Sequence, residues 1–169
     1  MMDERLIMDL ADRIRGRFYG KYRGVVTQVD GSTMRVKAKV PAVLTDTESG
    51  WAMPCVPYAG DQVGIAFLPE TGSGVWIEFE GGDVSFPIWT GCYWHSGEQP
   101  SQATADAKTI ITKQTTIVFD DSQSTGNWTD SNQNTVQLDS SGITLTQGSS
   151  SVAIGTSSVS VNDGSLEVQ

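Results

Sequence analysis

The chain has little of what most reactions and most ligands require. Its 169 residues include one histidine and two cysteines, Cys55 and Cys92, which lack CxxC spacing. No Cys/His set for zinc and no Ser/His/Asp or Cys/His set for nucleophilic catalysis can be assembled, and both cysteines read as small buried apolar residues. Basic residues are scarce: 11 Lys+Arg stand against 20 Asp+Glu, a net charge of −9. Residues 1–103 hold 9 basic and 13 acidic side chains, and residues 104–169 hold 2 and 7. A nucleic-acid backbone needs a basic face from which counterions can be released, so this balance argues against it as the main partner. No apolar run reaches the roughly eighteen residues needed to cross a bilayer. The start, Met1-Met2-Asp3-Glu4-Arg5, lacks the basic and apolar regions of a secretory signal. Export is therefore expected to use lysis or assembly into a larger particle.

What is present is a β-rich pattern in two styles. Through Val75-Trp76-Ile77-Glu78-Phe79-Glu80 apolar and polar residues alternate; a Gly81-Gly82-Asp83 turn follows, and a second run closes at Trp94. This is the signature of a β-hairpin, and its bulk suits one wall of a compact all-β core. Trp76, Phe79, Trp89 and Trp94 read as core and subunit-packing residues. Before it, Arg23–Val29 and Met34–Val40 flank an Asp30-Gly31 turn as a second hairpin. Residues 42–58, interrupted by Pro54 and Pro57, read as a loop packed across the sheet, and Gln62–Phe67 as a further strand of the barrel. About five strands in such a span predict a small closed barrel of the oligonucleotide/oligosaccharide-binding (OB) type. Ahead of them, Leu6, Ile7, Leu10, Ala11 and Ile14 fall at helical spacing over residues 3–16, with acids early and arginines late. So short a helix needs a docking surface, on its own domain or a neighbouring subunit.

The organisation expected is a helical segment at 1–19, an OB domain at 20–95, an extended linker at 96–107 and a repetitive tail at 108–169. The tail is rich in Ser, Thr, Gly, Gln and Asn, a composition that by itself favours disorder. Its apolar residues nevertheless recur as i, i+2 pairs: Ile117/Phe119, Val136/Leu138, Ile143/Leu145, Val152/Ile154, Val159/Val161 and Leu166/Val168. Short strands, each with one apolar face and a turn after it, predict a stacked β-helix or β-prism. One copy has too little apolar surface to close a core, so the tail implies an oligomer, with three chains turning their pairs to a common axis. The fold class is thus all-β: a short N-terminal helix, a five-stranded OB barrel and a C-terminal trimeric β-helix or β-prism.

Tyr22-Arg-Gly-Val-Val, Arg35-Val-Lys-Ala-Lys-Val-Pro41, Trp51-Ala-Met-Pro-Cys-Val-Pro-Tyr-Ala-Gly60, Leu68–Asp83 and Pro87-Ile-Trp-Thr-Gly-Cys-Tyr-Trp94, in that order, resemble the OB domain of contractile-tail spike proteins. These are the phage baseplate assembly protein V family and its relatives in type VI secretion and extracellular contractile injection systems. The resemblance covers about residues 20–95. It implies a homotrimeric central spike, made in the bacterial cytoplasm without a signal peptide and built into a virion baseplate or injection particle. Such a spike sits under the tail tube and a hub protein, continues as a β-helical needle and makes transient contact with the target membrane. Ile117, Phe119, Val136, Leu138, Ile143, Leu145, Val152, Ile154, Val159 and Val161 would form the trimer core of the needle. Leu6, Leu10 and Ile14 would meet the hub. Some relatives insert a lysozyme-like domain, for which this chain has no room, and some needles end in a metal-binding His-x-His. Here no histidine follows His95, so Leu166 and Val168 would instead contact a separate PAAR-like tip protein.

The remaining chemical candidates are weak. His95 reads as a surface or interfacial histidine, Glu78 and Glu80 as the polar face of a strand, and Gly72-Ser73-Gly74 and Gly81-Gly82 as turns rather than phosphate loops. Asn127-Trp128-Thr129 matches a glycosylation acceptor by chance. No enzyme, cofactor, metal or nucleic-acid partner is expected. Two other readings are an OB-fold single-stranded nucleic-acid binder, using Lys37, Lys39 and aromatics, and a trimeric receptor- or glycan-binding tail fibre.

Overall fold

The computed structural model describes residues 4–168, with the side chains of residues 6, 10, 12, 13 and 167 outside that description. Two compact units divide at residues 98 and 99. The first contains α1 (Glu4–Arg15), β1 (Tyr22–Asp30), β2 (Arg35–Lys39), α2 (Pro41–Leu44), β3 (Met53–Pro54), β4 (Ala59–Gly60), β5 (Val63–Gly64), β6 (Gly74–Phe79) and β7 (Pro87–Tyr93). The second contains β8 (Ala107–Ile111), β9 (Thr115–Asp120), β10 (Thr125–Asp130), β11 (Thr135–Asp139), β12 (Gly142–Gln147), β13 (Ser150–Ile154), β14 (Val159–Val161) and β15 (Leu166–Val168). No described helix is long and apolar enough to cross a membrane.

Alternation builds the first unit. Val26, Val36, Ala38, Val75, Ile77, Phe79 and Trp89 point inward from their strands and form, with Val40 and Ala52, one buried cluster. The sheet order is β2-β1-β6-β7-β3, all neighbours antiparallel except β3 and β7. Its two edges meet where Val36 and Ala52 exchange backbone hydrogen bonds of 3.4 and 2.8 Å, and Ser49 N–H donates to Ala38 O at 2.8 Å. These bridges close the sheet at Ala52 and leave Pro54, two residues on, at an edge beyond the closure. Bulges at Thr27 in β1 and opposite Trp76 in β7 supply the bending that a small barrel requires.

Three expectations are corrected. Gln62–Phe67 is not a barrel strand: only Val63–Gly64 is extended, paired with Ala59–Gly60 in a separate two-stranded sheet. Val63, Ile65 and Phe67 are exposed there. The fifth barrel strand is instead β3, inside the stretch read as a loop, because parallel pairing with β7 needs only two residues and Pro54 takes a sheet-edge position. Cys55 and Cys92 are exposed rather than buried; Cys55 follows the short β3 at the sheet edge, and Cys92 lies past the β7 bulge. Of the four aromatic residues expected to pack in the core or between subunits, Phe79 and Trp89 are core, Trp76 stands on the outer side of β6 and Trp94 is exposed in the single chain.

Candidate assembly interface

The second unit is one eight-stranded antiparallel meander in which every strand pairs with its sequence neighbours, β8 through β15. Turn chemistry fixes the register. Asp120 accepts hydrogen bonds from the Ser122 hydroxyl at 2.7 Å and from the Ser122 and Gln123 backbone N–H groups. Asp130 accepts from the Asn134 side chain at 2.7 Å and from the Asn134 and Asn132 backbone. These donors hold both carboxyls below the usual aspartate range, the Ser122 hydroxyl contributing most at Asp120 and the Asn134 amide at Asp130. Further along, Asn162 accepts from Ser151 N–H at 2.9 Å and ties β13 to the β14 turn.

This register lines up the apolar pairs. Ile110, Ile117, Trp128, Val136, Leu145, Val152, Val161 and Leu166 stand opposite one another from strand to strand as one column. Phe119, Gly126, Leu138, Ile143, Ile154, Val159 and Val168 form a second column on the same face. Behind them, Thr116, Thr129, Thr135, Thr146 and Ser151 make a hydroxyl row. Within one chain the apolar face is the barer one: Leu138 is 48% exposed, Leu145 44% and Ile154 43%, while Thr144 and Thr146 are half-buried. A continuous apolar surface of this extent marks an interaction site.

All ten residues expected in the needle core therefore share one face, and Leu166 and Val168 end its two columns on the last strand. Two members were missed in the sequence. Ile110 in β8 follows Lys108 at i, i+2, and Trp128 in β10 follows Gly126, so neither belongs to an apolar pair. Spacing was the available signal, since Gly126-x-Trp128 lies between the 117/119 and 136/138 pairs.

In the first unit, Ile7, Met8 and Ile14 of α1 are exposed. Ile14 thus leaves an apolar side chain free on the helix, whereas the Leu6 and Leu10 side chains lie outside the described residues. The outer barrel face carries a ring stack: Arg23 lies over Trp76 at 5.7 Å and over Tyr93 at 5.9 Å, and Tyr93 packs edge-on against His95. His95 in turn shares Glu98 Oε2, through its backbone N–H at 2.7 Å and its ring Nδ1 at 3.0 Å. Glu78 is tied to Lys21 and Glu80 lies in the turn after β6, so the two carboxylates serve different local contacts. Among the described residues no group of three or more His, Cys, Asp or Glu side chains could hold a metal ion.

A closed OB barrel joined in sequence to a sheet with one bare apolar face defines a structural assembly protein, whose working surface is the one that meets other chains. Two family models match it: the type VI secretion system/phage-baseplate injector OB domain over residues 22–94, and the phage baseplate V C-terminal trimerisation domain over residues 108–167. The chain belongs to the phage baseplate V and type VI secretion spike family. It is a spike-type structural component of a baseplate or injection particle, and its C-terminal match supports a homotrimer. A search of curated proteins finds no match.

Proposed function

We propose that three copies of this chain form the central spike of a contractile baseplate, and that the spike pierces the target cell envelope when the machine contracts. The observation that carries this reading is the pair of apolar columns running the length of the C-terminal sheet, exposed or half-buried in a single chain. Three such sheets turned inward bury the columns together and leave the hydroxyl rows to water. Because consecutive strands of one chain are hydrogen-bonded neighbours, each chain supplies one side of a β-prism in this reading, rather than alternating strands with its partners.

The domain assignments follow: α1 and the barrel at residues 1–95 engage the assembly, residues 96–107 link, and residues 108–169 are the needle. Ile117, Phe119, Val136, Leu138, Ile143, Leu145, Val152, Ile154, Val159 and Val161 line its axis. The α1 helix, through Leu6, Leu10 and Ile14, docks on the baseplate hub, and Leu166 and Val168 meet a separate PAAR-like tip protein. Rigidity is the property required here, because a needle transmits force without chemistry. The single-strand binder reading is disfavoured by placement: Phe79 and Trp89 are buried inside the barrel, and Trp76 and Tyr93 are already covered by Arg23.

Light scattering on the purified full chain gives the test. A mass of three chains that persists on dilution is expected, and a stable monomer at micromolar concentration overturns the proposal.

A further inference from the structure

The apolar face has one gap. At the level of β10 one column presents Trp128 and the other presents Gly126, which has no side chain, and a hollow of about 530 Å³ opens over Gly126, walled by Phe119, Leu138, Val136 and the chain's own Trp128 and running out to the β9–β10 turn at Asp121 and Ser124. A Cβ on Gly126 would come no closer than 3.9 Å to any neighbour, so nothing within the chain demands glycine at this position. Its φ does not demand it either, since Gly126 is not among the glycines with positive φ.

We propose that Trp128 of each copy inserts into the Gly126 hollow of the next copy around the three-fold axis, a knob-and-socket contact repeated three times. This rests on the trimeric reading above. In a three-fold arrangement the axis runs along the columns, and rotation sets one column of each chain beside the other column of its neighbour at the same strand level. Each level then contributes one residue from each column. At β11 the pair is Val136 with Leu138, at β12 Leu145 with Ile143, at β13 Val152 with Ile154. At β10 it is Trp128 with Gly126, the largest side chain beside none, which together carry roughly the bulk of two branched aliphatic residues. Close packing conserves volume per layer, so the glycine is the complement of the tryptophan. Trp128 is 52% exposed in one chain, a large apolar ring that its own chain covers only by half. Its place on β10 fixes the level of the contact and so the axial register of the three chains.

The test uses the full chain. Gly126→Leu fills the socket and is expected to raise the trimer dissociation constant about ten- to a hundredfold, the usual effect of overpacking. Gly126→Leu with Trp128→Val, which copies the Val–Leu level of β11, is expected to recover most of that loss. To separate contact between chains from contact within one, Gly126→Cys and Trp128→Cys are combined in a Cys55→Ser, Cys92→Ser background and oxidised with diamide. A covalent trimer on a non-reducing denaturing gel is expected. A trimer that Gly126→Leu leaves unchanged, or a non-covalent trimer that forms no intersubunit disulfide, overturns the socket while leaving the trimeric spike standing. A parent chain that is monomeric by light scattering removes both.

Discussion

The indole N–H of Trp89 donates to the backbone carbonyl of Met34 across 3.1 Å, with the Trp89 side chain only 4% exposed. The bond joins β7 to the turn between β1 and β2, where Met34 adopts a positive φ of 57°. Trp89→Phe retains a buried ring and removes the donor, leaving that carbonyl short of a partner. The expected cost is about 1–3 kcal/mol, and for Trp89→Ala about 3–5 kcal/mol, where a cavity is added. Urea unfolding followed by near-ultraviolet circular dichroism measures both, and a Phe variant as stable as the parent would deny the bond any role.

The aspartate turns predict an acid limit. Asp30 accepts from the Ser32 and Thr33 hydroxyls, each at 2.6 Å, and from Ser32 N–H, which lowers its pKa to about 2. A carboxyl held below its unfolded value stabilises the fold in full above the unfolded pKa, near 4, and loses that contribution as pH falls through the folded value. Asp30→Asn keeps an acceptor and removes the charge. The variant is expected to be less stable than the parent at pH 7, with the gap closing as pH falls from about 4 toward 2. Denaturation midpoints across that range check it, and a gap of constant size would refute the charge-based account.

Gly142 opens β12 with φ 137°, and a Cβ there would lie 2.0 Å from the carbonyl oxygen of Ile154 on the neighbouring strand. Gly142→Ala therefore forces β12 and β13 apart at the end of their ladder. A loss of at least about 2 kcal/mol is expected from the strained backbone and displaced pairing. Thermal unfolding and the rate of cleavage by a protease of broad specificity in the C-terminal unit report it, and an alanine variant with parental values would mean that the turn relaxes freely.

How far the sequence revealed this structure depended on the range of each signal. The two apolar columns are legible in the sequence because strand alternation and turns repeat at short intervals, so a local pattern such as Val152-Ala153-Ile154 carries its own face assignment. Trp128 is not legible in this way because the residue two before it is Gly126, which leaves no apolar doublet on β10. The barrel was legible as a strand count, but not strand by strand. Gln62–Phe67 has the stronger alternation, yet β3, with two residues and a proline, completes the barrel because its partner β7 lies more than thirty residues away. Pairing over that separation leaves no local trace. The exposure of Cys55 and Cys92 has the same origin, since it follows from a sheet edge and a bulge that only the assembled barrel defines.

The strongest test of the interface sets its two faces against each other on one strand. Val152 and Ile154 of β13 lie in the apolar columns, while Ser151 and Ala153 lie on the hydroxyl face. Val152→Asp with Ile154→Asp would bring six carboxylates to the axis of a trimer, each costing several kcal/mol to desolvate without a partner. The trimer dissociation constant is expected to rise more than about a thousandfold, which corresponds to roughly 4 kcal/mol. Ser151→Asp with Ala153→Asp adds the same charge to the same strand and is expected to leave the trimer within about 1 kcal/mol, because those positions stay in water. Sedimentation or light scattering over a dilution series separates the two. Dissociation by the second pair alone would invert the assignment and turn the threonine face toward the axis. A protease-resistant trimer in both would mean that neither face of this sheet is where the chains meet.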